Sequence, residues 1–154
     1  MLRVLESLGS TAVQRADGAL EVCSAHVPRE EASWEYVRKM RGSVCVLGPL
    51  LARCGRAVVA QPGGCVIGVR PIDLHIKGMQ ALGAKVTTEH GDVIAEAPGG
   101  GLAGAELYLG GAQGSTVLGT ANVLMAATLA RGTTVIHGAA CEPEVVDLGD
   151  CLIK

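Results

Sequence analysis

Stretches with apolar residues at helical spacing alternate along this chain with stretches that read as extended. Leu2, Leu5 and Leu8 share one face of a helix that closes at Gly9. Runs 11–15 and 19–24 follow, joined through Asp17-Gly18, a pair that favours a hairpin turn. Residues 26–33 are a polar connection and 34–41 are mixed, with Arg38, Lys39 and Arg41 basic. Met40, Val44, Leu47 and Leu51 predict a helix ended by Gly55; Pro49 inside it either kinks it or moves its start. Residues 57–60 read as a strand. Ile72, Ile76, Met79 and Leu82 stripe the next helix, with Pro71 suited to its first position, Asp73 to its first turn and Gly83 to its close. A second hairpin, 85–89 and 92–97, turns at His90-Gly91. Beyond it come strands over 105–109 and 133–137, a helix over 120–130 and a last helix from Val145.

This order repeats. Leu5-Glu6-Ser7-Leu8-Gly9 returns as Met79-Gln80-Ala81-Leu82-Gly83, and Asp73-Leu74 returns as Asp147-Leu148, each 74 positions on. The unit is helix, strand, loop, helix, hairpin, strand. The chain is expected to hold the second half of one unit, a full unit and the first half of a third, incomplete at both ends. The expected class is α/β.

Composition narrows the function. With 154 residues and 49% hydrophobic content the chain is large enough for a core. It has no Phe, one Trp and two Tyr, so that core must be built from Leu, Val, Ile, Ala and Met. A net charge of −2 argues against nucleic acid or an anionic membrane as partner. No apolar run reaches spanning length, and Glu6 interrupts the N-terminal segment, which reads as cytoplasmic. The six cysteines form no C-x-x-C pair and the four histidines do not flank them at ligand spacing, so no metal site is expected. His75 and His137 have no partner at catalytic spacing and read as structural. Gly99, Gly101 and Gly104 spell G-x-G-x-x-G, but an alternating run follows where a dinucleotide site needs a helix.

The chemistry concentrates in 61–74, Q-P-G-G-C-V-I-G-V-R-P-I-D-L. Gly63, Gly64 and Gly68 free the backbone around Cys65, and Arg70 precedes a helix start. A helix N-terminus attracts anions such as phosphates, and the same surroundings lower a thiol's pKa. A packed loop thiol is the plainer reading of Cys65, a solvated charge that of Arg70, and simple capping that of Asp73.

The run P-G-G-C-V-I-G-V-R-P-I-D-L resembles the active-site loop of the UDP-N-acetylglucosamine enolpyruvyl transferases. The resemblance extends from R-K-M-R-G-S at 38–43 to E-P-E-V-V-D-L at 142–148. It implies an inside-out α/β enolpyruvyl-transferase domain of repeated helix–strand units, helices within and sheets outside, and a second domain beyond this chain. It implies transfer of the enolpyruvyl group of phosphoenolpyruvate to the 3′-hydroxyl of UDP-N-acetylglucosamine, for peptidoglycan synthesis, without a cofactor. Cys65 then matches the proton donor and Arg70 the arginine that meets phosphate. Arg41 matches a nucleotide-binding arginine, and Arg70, Pro71, Ile72, Asp73 and Leu74 the run along the uridine nucleotide. The segment Gly114-Ser115-Thr116-Val117-Leu118-Gly119-Thr120 departs from the common S-V-G-A-T form, so it is left out of the expected site.

Three readings compete with this one. A shikimate-phosphate-type transferase would lack the cysteine loop, a noncatalytic repeat module would need no substrate, and a thiol sensor would use Cys65 alone. A lysine–asparagine segment upstream and a second domain downstream would favour the transferase.

Overall fold

The computed structural model describes residues 1–27, 29–61, 71–112 and 114–154, so Cys65 and Arg70 lie outside the described residues. Helix α1 (Leu2–Ser7) runs through Gly9, at φ 102°, into the hairpin of β1 (Thr11–Gln14) and β2 (Leu20–Cys23). In its turn Asp17 Oδ1 accepts from the Ala19 amide at 2.9 Å, and Gly18 takes φ 86°. After β3 (Glu31–Ala32) come a short helix α2 (Trp34–Val37) and a 3₁₀ helix (Arg41–Val46). Helix α3 (Leu47–Cys54) ends at Gly55, φ 78°, and β4 (Arg56–Ala60) follows.

Pro49 moves the helix start rather than kinking the helix. It is the third residue of α3, where a missing N–H costs nothing. Its ring clashes with an α-helical carbonyl four residues back, at Cys45, and the residues before the helix, Arg41–Val46, are 3₁₀.

Helix α4 (Asp73–Ala81) leads through Gly83, φ 93°, into β5 (Lys85–Glu89) and β6 (Asp92–Glu96). His90 and Gly91 both have positive φ, 53° and 87°, as a two-residue turn of this twist requires. Then come β7 (Glu106–Tyr108), α5 (Val117–Ala127), β8 (Val135–His137) and α6 (Pro143–Ile153). The G-x-G-x-x-G run does lead into a strand, β7. Pro71 is not the first helical residue: α4 begins at Asp73, because its first bond runs from the Ile76 amide to the Ile72 carbonyl. Pro143 does take the first position of α6, which starts two residues before the expected Val145. Helix α5 starts three residues before the expected Thr120, because Thr116 caps it: Thr116 Oγ1 accepts from the Gly119 amide at 3.2 Å.

The strands form three sheets among the described residues: β1-β2, a four-stranded β3-β4-β6-β5 and β7-β8. β3 and β4 are parallel, β4, β6 and β5 antiparallel, and β7 and β8 parallel. Helix α5 is innermost, packed on the 3₁₀ helix, α3, α4 and α6. Helix α3 in turn covers β4 and β6, and Ala57, Val59, Val93 and Ala95 of those strands are buried beneath it. Leu47, Leu51, Met79 and Leu82 are fully buried, each contributing about 1.5–3 kcal/mol. Among the described residues no aromatic side chain is fully buried in the core; Tyr36 packs half-buried against it, and Trp34 and Tyr108 are exposed.

Two glycines set the helix spacing. A Cβ on Gly48 would stand 2.6 Å from Asn122 Oδ1, and one on Gly78 would strike Val123 Cγ2. Both contacts join a neighbouring helix to α5.

Candidate functional site

A cleft of ≈ 600 Å³ opens where the 3₁₀ helix, α4 and α5 begin. Arg41, Pro71, Asp73, Leu74 and His75 line one side, and Gly111, Ala112, Gly114, Ser115, Thr116, Val117 and Leu118 the other. Arg41 is half-buried at the start of the 3₁₀ helix, and its Nη2 donates to the Pro71 carbonyl at 3.2 Å. That bond spans 30 residues and places the guanidinium beside the approach to α4. Ile72 is buried under the cleft, anchoring the exposed Pro71 and Asp73 on either side of it.

Helices of nine and eleven residues, α4 and α5, point their N-termini at this space. Their dipoles, and the first-turn N–H groups other than the Gly119 amide that Thr116 caps, add positive potential to the Arg41 charge. The opposing loop is tight, with Gly111 and Gly114 exchanging backbone bonds of 2.8 and 3.0 Å. Leu74, Val117 and Leu118 supply apolar surface, and Ser115 and Thr116 supply hydroxyls. Such a lining suits an anionic ligand that also carries a flat or apolar part.

Beneath the cleft His75 is 2% exposed, and its Nδ1 lies 3.0 Å from Asn122 Nδ2. Burial lowers its pKa to about 4, Arg41 adds to the effect, and Asp73 opposes it. At neutral pH this ring is uncharged.

The family described as EPSP synthase (3-phosphoshikimate 1-carboxyvinyltransferase) matches residues 1–154. The chain belongs to the EPSP synthase family. Within this family, the UDP-N-acetylglucosamine 1-carboxyvinyltransferase of Akkermansia muciniphila is 54% identical over 154 residues, covering 100% of this chain and 36% of the relative. That of Methylacidiphilum infernorum is 55% identical over 152 residues, covering 99% and 35%. The chain thus spans about a third of the length of these relatives.

The same fold appears in solved structures. The enolpyruvyl transferase NikO from Streptomyces tendae matches with a TM-score of 0.78 at 18% identity, covering 97% of this chain and 34% of that one. EPSP synthase from Acinetobacter baumannii matches with a TM-score of 0.63 at 15% identity, covering 94% and 33%. The α/β fold of this family member is therefore that of the enolpyruvyl transferases.

Of the residues expected to form the site, the structure brings Arg41, Pro71, Asp73 and Leu74 together and sets Ile72 behind them. Cys65 and Arg70 lie outside the described residues. The cleft also includes Ser115 and Thr116, which the sequence leaves out of the expected site, and His75, which it reads as structural. A serine–threonine pair ahead of an apolar helix is a capping signal, and it could have pointed to the α5 terminus. His75 carried a signal too, since it follows Asp73-Leu74 directly. His137 is elsewhere: it bonds Glu106 at 2.9 Å on the exposed face of β7 and β8. Among the described residues no group of three His, Cys, Asp or Glu could hold a metal ion, and no helix is long and apolar enough to cross a membrane.

Proposed function

We propose that this chain belongs to an enzyme that transfers the enolpyruvyl group of phosphoenolpyruvate to the 3′-hydroxyl of UDP-N-acetylglucosamine, releasing phosphate. The observation that carries this reading is the meeting of Arg41 with Pro71, Asp73 and Leu74 on one cleft, in a chain 54% identical to transferases of that name. On this reading the UDP-sugar lies across the cleft, with the Arg41 charge and the α4 and α5 N-termini toward its phosphates. Residues 1–154 supply part of one domain: half a helix–strand unit, a full unit and half of a third. The protein acts in the cytoplasm on small molecules, in the first committed step of peptidoglycan synthesis.

The reaction is an addition followed by an elimination. The sugar hydroxyl oxygen bonds to C2 of phosphoenolpyruvate and gives up its proton to a base, while an acid protonates the methylene at C3. Loss of a proton from the C3 methyl then restores the double bond as the C–O bond to phosphate breaks. We assign the acid at C3 to Cys65 and contact with the phosphate of phosphoenolpyruvate to Arg70, on the match of both to the family's loop.

Phosphate release by the full-length protein tests the reading. Turnover is expected only with phosphoenolpyruvate and UDP-N-acetylglucosamine together, and it should vanish in Cys65→Ala. Turnover with shikimate 3-phosphate in place of the UDP-sugar would overturn the assignment in favour of the shikimate-type reaction.

A further inference from the structure

Asn122 is a fully buried polar residue in the middle of α5. Its Oδ1 accepts from the Gly48 amide at 2.7 Å, and its Nδ2 donates to the Val44 carbonyl at 2.9 Å. Both partners are backbone groups of fixed polarity. Turning the carboxamide over would set oxygen against the Val44 oxygen and NH₂ against the Gly48 N–H, so its orientation is determined. Nδ2 has only hydrogens to offer. The His75 Nδ1 at 3.0 Å must therefore accept, and the ring's proton must sit on Nε2.

The rest of the ring's surroundings agree. A second proton on Nδ1 would face the Asn122 amide hydrogens, and burial and Arg41 both oppose a charged ring, with Asp73 the opposing influence. His75 lines the cleft, and among the described residues Nε2 has no hydrogen-bond partner. With Nδ1 turned inward, Nε2–H is the ring's polar group left for a ligand.

We propose that Asn122 is a positioning residue: it locks His75 as the Nε2–H tautomer, a neutral donor to an acceptor oxygen of the ligand in the cleft. This rests on the reading that the cleft takes the UDP-sugar. A neutral donor there complements the Arg41 cation without placing a second buried charge, which would itself need a partner. It also gives a reason for a polar residue at the centre of an apolar helix.

The test uses the full-length protein. Long-range ¹H–¹⁵N spectra of the histidine rings, with His75 assigned by its loss in His75→Asn, should show an unprotonated Nδ1 and a protonated Nε2 at pH 7. Asn122→Asp should reverse this, since a carboxylate accepts from Nδ1 and favours the charged ring. Calorimetric titration with UDP-N-acetylglucosamine should show about ten-fold weaker binding for His75→Asn, which keeps an acceptor for Asn122 but loses the outward donor. His75→Gln, whose amide can reach the Nε2 position, should recover most of that loss. An Nδ1–H or charged ring in the native protein would overturn the proposal, as would unchanged affinity in His75→Asn. Should Asn122→Asp fail to fold, the native ring signals and the His75 pair still decide. If the native protein does not bind UDP-N-acetylglucosamine at all, the cleft reading fails, and the ring spectra, taken without ligand, judge the tautomer separately.

Discussion

Gly48 and Asn122 meet with no room for a side chain between them. A Cβ on Gly48 would press on the Asn122 backbone oxygen and stand 2.6 Å from its Oδ1, the atom that accepts from the Gly48 amide. The glycine thus serves the hydrogen bond as well as the close approach of α3 to α5.

That relationship decides the sign of a glycine substitution. Alanine normally favours a helix over glycine by about 1 kcal/mol, but Gly48→Ala must displace backbone and should destabilise by about 1–3 kcal/mol. Gly149→Ala, in α6 with nothing among the described residues within 4 Å of the added atom, should stabilise by up to about 1 kcal/mol. Urea denaturation of the two variants beside the parent checks the opposite signs.

Gly78 meets a side chain, not backbone, and a compensating change should work there. Gly78→Ala drives a methyl into Val123 Cγ2 and should destabilise, and Val123→Ala alone should leave a cavity in the fully buried site. Together they should cost less than the sum of the two, by about 1 kcal/mol. Additive losses in a double-mutant cycle would show that the helices do not meet in this way.

The acid sensitivity of the fold should depend on His75. Its folded pKa of about 4 lies below the value of about 6.5 usual for the unfolded chain. Between those values the unfolded state binds more protons at this group, so its effect is to lower stability progressively as the pH drops from about 6.5 to about 4. The loss from this group is about 3 kcal/mol, on the scale of about 1.4 kcal/mol for each pH unit separating the two values. Denaturation midpoints of the parent and His75→Gln at pH 7 and pH 5 should diverge, the variant being less sensitive to acid.

Arg41→Ala should weaken UDP-N-acetylglucosamine binding by about 1.5–3 kcal/mol, the range for a hydrogen bond to a charged group. It should leave phosphoenolpyruvate affinity nearly unchanged, with Arg70→Ala showing the reverse pattern. Calorimetric titration of both ligands into both variants of the full-length protein reads the split.

A small phosphonate epoxide should alkylate the full-length protein at Cys65, because it needs an anion site and a nucleophile together. Cys23, Cys141 and Cys151 are exposed but stand outside the cleft's lining, and burial pushes the Cys45 thiol up. Peptide mass spectrometry should find Cys65 modified first, and faster with the UDP-sugar present. Preferential modification of Cys141 or Cys23 would contradict the assignment.

Much of this protein was legible residue by residue. Gly9, Gly55 and Gly83 end helices, and Asp17-Gly18 and His90-Gly91 turn hairpins, because left-handed backbone is a local demand that few residues meet. The helix stripe through Met79 and Leu82 was legible because burial repeats with the helical period. That Arg41, Pro71, Asp73 and Leu74 share a cleft agrees with the motif that joins them in the sequence, and their role there is the proposal above. The strand partnerships were not legible, since the parallel pairings of β3 with β4 and of β7 with β8 join segments more than twenty residues apart. Nor was the hydrogen-bond network behind the cleft. Asn122 bonds partners 47, 74 and 78 positions away, and no periodicity encodes which end of a carboxamide meets which backbone group. The sequence by itself determined that a polar residue stands in an apolar helix and, once buried, must be hydrogen-bonded. Only the packing of α3, α4 and the 3₁₀ helix around α5 decided the partners, and with them the atom of His75 that carries the proton.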